Sequence, residues 1–397
     1  MGLQPIYGSK LPVRLTTFSQ IIVRVHFLGS TVYWFFFEVY LQILRQMTHA
    51  TITSALSFLN RYPRTELLWR LGGMTVMSLT GLLSRAFLYG FHNVNVCGVD
   101  QFVQVLERAK KEGRGVLTVS NHISVVDDPV IWGLLPVRKM FDPTHLRWGL
   151  GAENICFTTK LTSNFFSMGQ VLATWRFGEG VYQGAVDSAI LLLSPSSRDS
   201  LTKTIDNDAN PFPPSNLPPQ WIHIFPESLV HQAYPPHQTS MKYFHWGVSR
   251  IILEAEKLPV IVPIFHHGLD TVFPEDRAKF KYIPRTVVFP KWKKENRVNL
   301  SFKFGAPLSE SFFTKEREIW KGLADKQHDS EESWNLRSKV AALIREAVAE
   351  VRKSMGLSDE DPRFKDPYFW SNVSELSGVK IAGKYGNSSV KVIEKEG

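Results

Sequence analysis

The sequence predicts an α/β fold in which a mixed sheet is flanked by helices. Three observations carry this. Apolar runs of strand length occur at GVLTVS (115–120), WIHIF (221–225) and VIVPIF (260–265). Helical patterns lie between them, and Gly, Pro and Asp mark the junctions.

In chain order, residues 98–114 place Phe102, Val105, Leu106 and Ala109 on one helical face, and Gly113 can end that helix. The strand 115–120 follows, then a loop from Asn121 to Asp127. Asp128-Pro129 reads as a helix start, with Asp as N-cap and Pro at the first helical position. Pro136 stops the helix. Further strands are predicted at 170–175, 221–225, 260–265 and 298–305, and helices at 181–193, 240–257 and 331–355. In the last helix Leu336, Val340, Leu343, Ala347 and Val351 form one stripe, and Gly356 ends it.

Four regions follow: an N-terminal extension (1–46), a helical membrane-interface segment (47–95), a catalytic domain (96–356) and a C-terminal tail (357–397). Pro211, Pro213, Pro214, Pro218 and Pro219 mark a surface loop at 194–220 inside the domain. The polar stretch after Ser371 reads as disordered.

Composition narrows the function. A net charge of +9 suits an anionic partner such as acidic lipid, and nothing beyond charge points to nucleic acid. Two cysteines, Cys97 and Cys156, exclude a disulfide scaffold or a Cys-rich zinc module. His231, His237, His245, His266 and His267 lack the spacing of a metal motif.

No stretch reaches the ~18–20 uninterrupted apolar residues of a confident spanning helix. Two runs, 25–37 and 71–84, are shorter, and both have Tyr or Trp within or near them. About 14 residues at ~1.5 Å each cover only about 21 Å, which predicts helices in the membrane interface. The first 37 residues are basic and contain no Asp or Glu, as in mitochondrial targeting segments. The aromatic stretch KYFHWG (242–247) and the basic cluster 291–294 are further candidate membrane contacts.

The chemistry lies in Asn121-His122-Ile123-Ser124-Val125-Val126-Asp127-Asp128-Pro129. On a straight helix, residues five apart are ~140° off one face, so His122 and Asp127 would not meet. They meet if His122 ends the strand and Asp127 opens the helix, with Asp128 taking the cap. An imidazole then serves as a general base on a substrate hydroxyl, oriented by a carboxylate. Backbone N–H groups near Asp128 are candidates for holding the oxyanion.

These residues carry a resemblance. NHISVVDDP, Gly169…Arg176, Phe225-Pro226-Glu227-Ser228 and VIVPIF resemble, in order, the four blocks of the glycerolipid acyltransferase superfamily. LRWGLGAENICF (146–157), FFSMGQVLATWRFGEGVYQG (165–184) and KYFHWGVSRIILEAEKLPVIVPIFHHG (242–268) resemble its tafazzin branch, and fungal members in particular, over residues 55–370.

The resemblance implies a transacylase that moves acyl chains from phospholipids to lysophospholipids without coenzyme A or another cofactor, remodelling cardiolipin through monolysocardiolipin. It implies a peripheral or monotopic protein on the outer and inner mitochondrial membranes, facing the intermembrane space, with membrane protein complexes as possible partners. His122 and Asp127 are then the catalytic pair. Arg176 and Glu227, with Gly169 and Pro226 of their blocks, bind the phosphate and glycerol of the lipid, or Glu227 holds Arg176. Ser228 departs from the usual Gly, which matters if that position needs positive φ. Two other readings stay open: an acyl-CoA-dependent lysophospholipid acyltransferase, and a non-catalytic membrane-binding protein with a decayed site.

Overall fold

The computed structural model describes residues 52–142, 145–176, 180–193, 212–214, 217–233, 235–274, 297–323, 330–371 and 381–382. The extension 1–46, the run 25–37, the cluster 291–294 and most of 194–220 lie outside the described residues.

Among the described residues there are nine strands: β1 (Asn93–Cys97), β2 (Val116–Ser120), β3 (Trp148–Ala152), β4 (Val171–Thr174), β5 (Trp221–Ile224), β6 (Gln232–Ala233), β7 (Val260–His267), β8 (Asn299–Phe304) and β9 (Ile381–Ala382). Seven form one sheet in the order β1-β8-β7-β2-β5-β3-β4. All neighbours run parallel except β7 and β8. Pro263 sits inside β7, paired with Val119 of β2. Its missing N–H is tolerated because the ladder with β8 begins only at Ile264, and Gly305 N–H donates to the Pro263 carbonyl.

The helices that pack on the sheet or border the site include α1 (Leu67–Phe91), α2 (Val99–Lys111), α3 (Asp127–Gly133), α4 (Lys160–Met168), α5 (Gly184–Leu193), α6 (Gly247–Glu254), α7 (Thr314–Gly322) and α8 (Glu331–Lys353). The strand period of two sorts side chains to two cores. Ile261 and Phe265 join α5, α6 and α8 on one face of the sheet. Val260, Val262 and Ile264 join α2 and α3 on the other.

Several predicted elements change. The helix expected over 240–257 is confined to α6, because two other segments hold the chain before it. Glu227 accepts from Lys242 N–H, and Arg345 donates to the carbonyls of Met241 and Lys242. The stripe of α8 is rotated: Ala341, Ile344 and Val348 are buried, while Leu343 and Ala347 are only partly covered. Asp128 does not cap α3; it lies within the helix and pairs with Arg147. Beyond Gly356 the chain is folded as far as 370, with Phe364 and Phe369 buried beside Ala233. Within the stretch read as disordered, β9 pairs with β6.

The run 71–84 belongs to a longer helix. α1 has 25 residues, roughly 37 Å at ~1.5 Å each, and is long and apolar enough to cross a bilayer. Counting uninterrupted apolar residues underestimates it, since Arg70 and Arg85 lie inside the helix. The Arg85 guanidinium donates to the Leu135 carbonyl and rests over the Tyr89 ring. One stripe of α1, including Met77, Ser78 and Gly81, packs on the domain. Leu67, Leu68, Leu71, Leu79 and Leu83 on its other faces are exposed.

Candidate active site

Five parallel strands point their C-terminal ends to one side of the sheet, where ligands of such folds bind. The chain leaves β2 at Ser120, and Asn121 to Val126 form a loop before α3. This turn brings His122 and Asp127 together: His122 Nδ1 lies 2.9 Å from Asp127 Oδ2. The same oxygen accepts from the N–H groups of Ile123 at 2.6 Å and Ser124 at 2.8 Å. A carboxylate with 0% exposure is thereby compensated by three donors. The N–H groups of Ile123 and Ser124 are spent on Asp127, so neither serves an oxyanion.

Asp127 on Nδ1 leaves Nε2 of His122 for a substrate. The Phe225 ring stacks on the imidazole at 4.4 Å between centroids, and the His122 carbonyl accepts from His231 N–H at 2.7 Å. Ring plane and main chain are both held, as a base in fixed register requires.

His122 lines a cavity of about 1260 Å³. Leu150, Ile155, Phe166 and Trp175 give it apolar walls, while Arg176 and Arg345 bring cationic groups. That volume exceeds a drug-sized pocket and suits a lipid. The KYFHWG stretch, expected at the membrane surface, is instead buried or lines this cavity through Tyr243, His245 and Trp246.

Arg176 follows β4, lines the cavity and has Nη2 3.3 Å from Asn154 Oδ1. Pro226 also lines it, and its carbonyl accepts from His245 N–H. Gly169 ends α4, and its carbonyl accepts from Arg147 Nη1 at 2.8 Å, which makes it a support for Arg147.

Glu227 is 1% exposed and engages neither Arg176 nor the cavity. Oε1 accepts from His122 N–H and Oε2 from Lys242 N–H, each at 2.8 Å. Both oxygens are taken by backbone N–H groups, and neither bonds to Arg176. Burial pushes its carboxyl up to about 8 against the pull of those two bonds, and pushes the Lys242 ammonium down to about 8. Ser228 has φ +65°, so the position does demand the left-handed region.

Sequence reasoning missed Arg147. Only 3% exposed, it donates from Nε to Asp128 Oδ1 at 2.6 Å and from Nη2 to Oδ2, and lies 4.3 Å over the Trp132 ring. The signal was an Arg at the entry of an apolar strand, where a buried charge needs a partner. It also missed His266, set aside as one of several scattered histidines.

A tafazzin of Saccharomyces cerevisiae is 37% identical over 367 residues, covering 85% of this chain and 93% of that protein. The chain belongs to the tafazzin family of acyltransferases. The broader family described as Acyltransferase matches residues 96–267, which hold every predicted site residue. Two other relatives align over about half of the chain. The taffazin of Dictyostelium discoideum is 34% identical over 203 residues, 50% of this chain and 61% of that protein. The tafazzin of Drosophila melanogaster is 33% identical over 206 residues, 52% of this chain and 47% of that protein. The solved 1-acyl-sn-glycerophosphate acyltransferase of Thermotoga maritima superposes with a TM-score of 0.35 at 13% identity, over 72% of this chain and 81% of that one.

Proposed function

We propose that His122 and Asp127 catalyse acyl exchange between a phospholipid and a lysophospholipid inside this cavity. The observation that carries the assignment is the 2.9 Å contact between the two side chains at the wall of an apolar cavity. As in the tafazzin family, the reaction is a transacylation without coenzyme A that remodels cardiolipin through monolysocardiolipin.

His122 Nε2 takes the proton of the lysolipid hydroxyl as its oxygen attacks the acyl carbonyl of the second lipid. Asp127 stabilises the imidazolium, which then protonates the departing glycerol oxygen. One ester replaces another, so the same histidine serves both directions. Arg176 binds lipid phosphate from the cavity wall through its planar fork. Glu227 acts on His122 through the main chain.

The exposed leucines of α1 lie in the membrane interface, with one stripe on the domain and the rest in lipid. Family membership supports a site of action on mitochondrial membranes facing the intermembrane space, as a peripheral or monotopic protein.

The test is lipid mass spectrometry of the purified protein with monolysocardiolipin and phosphatidylcholine, without coenzyme A. Wild type transfers acyl chains, while His122→Ala and Asp127→Asn lose at least about 10²-fold. Transfer only on adding acyl-CoA, or full activity in both variants, would sink the reading.

A further inference from the structure

Asp127 has a second neighbour that the mechanism above does not use. His266, on β7, is 0% exposed, and its Nε2 stands 3.7 Å from Asp127 Oδ2. Neither ring nitrogen of His266 has a hydrogen-bond partner among the described residues, and neither has Asp127 Oδ1. A buried polar atom left unpaired is costly, so three within one cluster form an unusual arrangement. A shift of about 0.5 Å brings the imidazole into hydrogen-bond range of the carboxylate.

The main chain places His266 there deliberately. Asn121, the residue before His122, donates from Nδ2 to the His266 carbonyl at 2.8 Å and accepts the His266 N–H at 3.0 Å. This two-bond clamp ties β7 to the catalytic loop at His266 itself. The ring then meets Phe302 edge-on, with centroids 5.7 Å apart.

We propose that His266 is a positioning residue for acyl transfer: as a neutral imidazole it donates Nε2–H to the Asp127 carboxylate and fixes the orientation that Asp127 presents to His122. The inference rests on the reading of His122 and Asp127 as the catalytic pair. The neutral form is the one the site enforces, since burial drives the imidazole down to about 4. Asp127 opposes that shift, while His122 and His267 add to it. The other titratable groups of the site are His223 on β5, the Asp128–Arg147 pair beside it, and Glu227 under the His122 main chain. When His122 gains the substrate proton, a carboxylate already anchored by fixed donors keeps its geometry. Without His266 it can turn, and the loss falls on the chemical step rather than on lipid binding.

His266→Phe keeps an aromatic ring and removes the donor, whereas His266→Gln restores an N–H near the position of Nε2. Steady-state transacylation is measured across pH, per folded molecule as judged from thermal melts, in wild-type and Asp127→Asn backgrounds. The Phe variant is expected to lose kcat by about tenfold, a fraction of what losing the orienting carboxylate costs a Ser-His-Asp triad. KM stays unchanged and the acid limb of kcat/KM moves to higher pH, because a carboxylate with fewer donors holds the imidazolium more strongly. The Gln variant recovers most of kcat and the wild-type limb, and the Phe substitution adds nothing in the Asp127→Asn background. Wild-type kcat and pH profile in the Phe variant overturn the inference. So do equal losses in the Phe and Gln variants, or losses that multiply with Asp127→Asn. Full activity of Asp127→Asn alone removes the catalytic pair and this inference together, whereas an inactive Asp127→Asn beside a normal Phe variant removes only the role of His266.

Discussion

The main-chain N–H of His122 donates to Glu227 Oε1 at 2.8 Å, so the residue that presents the imidazole is anchored by a carboxylate from another strand end. The other oxygen, Oε2, holds Lys242 N–H. Glu227→Gln turns one acceptor into a donor facing an N–H. One backbone group is left unpaired in a buried site, at a cost of about 1–3 kcal/mol. Chemical denaturation reads the loss. Activity falls further than stability, because the loop carrying His122 shifts; unchanged transacylation in this variant would contradict the role given to Glu227.

Arg147 and Asp128 form the second support of the site. Arg147→Ala leaves a partly buried carboxylate without its fork and removes the bond to Gly169. The expected loss is about 3 kcal/mol, near the low end for breaking such a pair because Asp128 keeps some solvent. Arg147→Lys recovers charge but not the two-pronged contact, and its melting temperature should fall between those of wild type and the Ala variant.

Ser228 occupies φ +65°, a region that is costly for a residue with a Cβ. Ser228→Gly should stabilise the protein by up to about 1 kcal/mol, reduced by the extra freedom glycine gains when unfolded. Thermal melts at one detergent concentration check this, and a lower melting temperature would show that the Ser side chain does more than fill a turn.

Acid should destabilise the protein from about pH 6.5 downward, above the ordinary range of carboxylates. Burial pushes His223 and His231 down to about 3 and His266 to about 4. Their neutral forms belong to the fold, so this stability is fully present above the ordinary value of ~6.5 and is lost as pH falls toward 3–4. Each contributes a slope of up to about 1.4 kcal/mol per pH unit below 6.5. Glu227 works the other way, since its carboxyl is pushed up to about 8 and acidification relieves its buried charge. His245, also pushed down to about 4, adds to these rings, and together they outweigh Glu227, so denaturation midpoints should drop steadily from pH 6.5 to 5. Flat midpoints over that range would contradict the burial of these rings.

The exposed side of α1 should govern membrane binding. Leu68 and Leu83 are 81% and 61% exposed, and Leu79 is also largely uncovered. Changing all three to Ser removes apolar contact worth about 1 kcal/mol or more each. Vesicle binding should therefore fall by at least about 10²-fold at constant melting temperature. Retained binding would move the membrane contact elsewhere on the surface, for instance to Leu161 and Phe165 of α4.

The sheet was legible where its strands are continuous apolar runs, as in β2, β5 and β7, because parallel strands covered on both faces need little else. β1, NVNVC, was not: its alternation spans only five residues and none of them is fully buried. α7 was missed for a related reason: TKEREIWKG is mostly charged, and Trp320 is its main buried apolar side chain. In the site, His122 and Asp127 were readable because the strand, loop and helix that join them are local in sequence. Glu227 was identified but its backbone partners were not, because which atoms face a carboxylate depends on a segment fifteen residues further on and another 105 residues before it.

The sequence by itself determined the fold class, the meeting of His122 with Asp127 and the turn that unites them, since each follows from periodicity and from chemistry within a few residues. Tertiary structure alone decided what stands around that pair. The clamp of Asn121 on His266, the grip of Arg147 on Asp128 and the 25-residue span of α1 are contacts or continuities that span distant or interrupted stretches of chain. Burial makes those partners obligatory, and only the folded chain shows which groups are buried together.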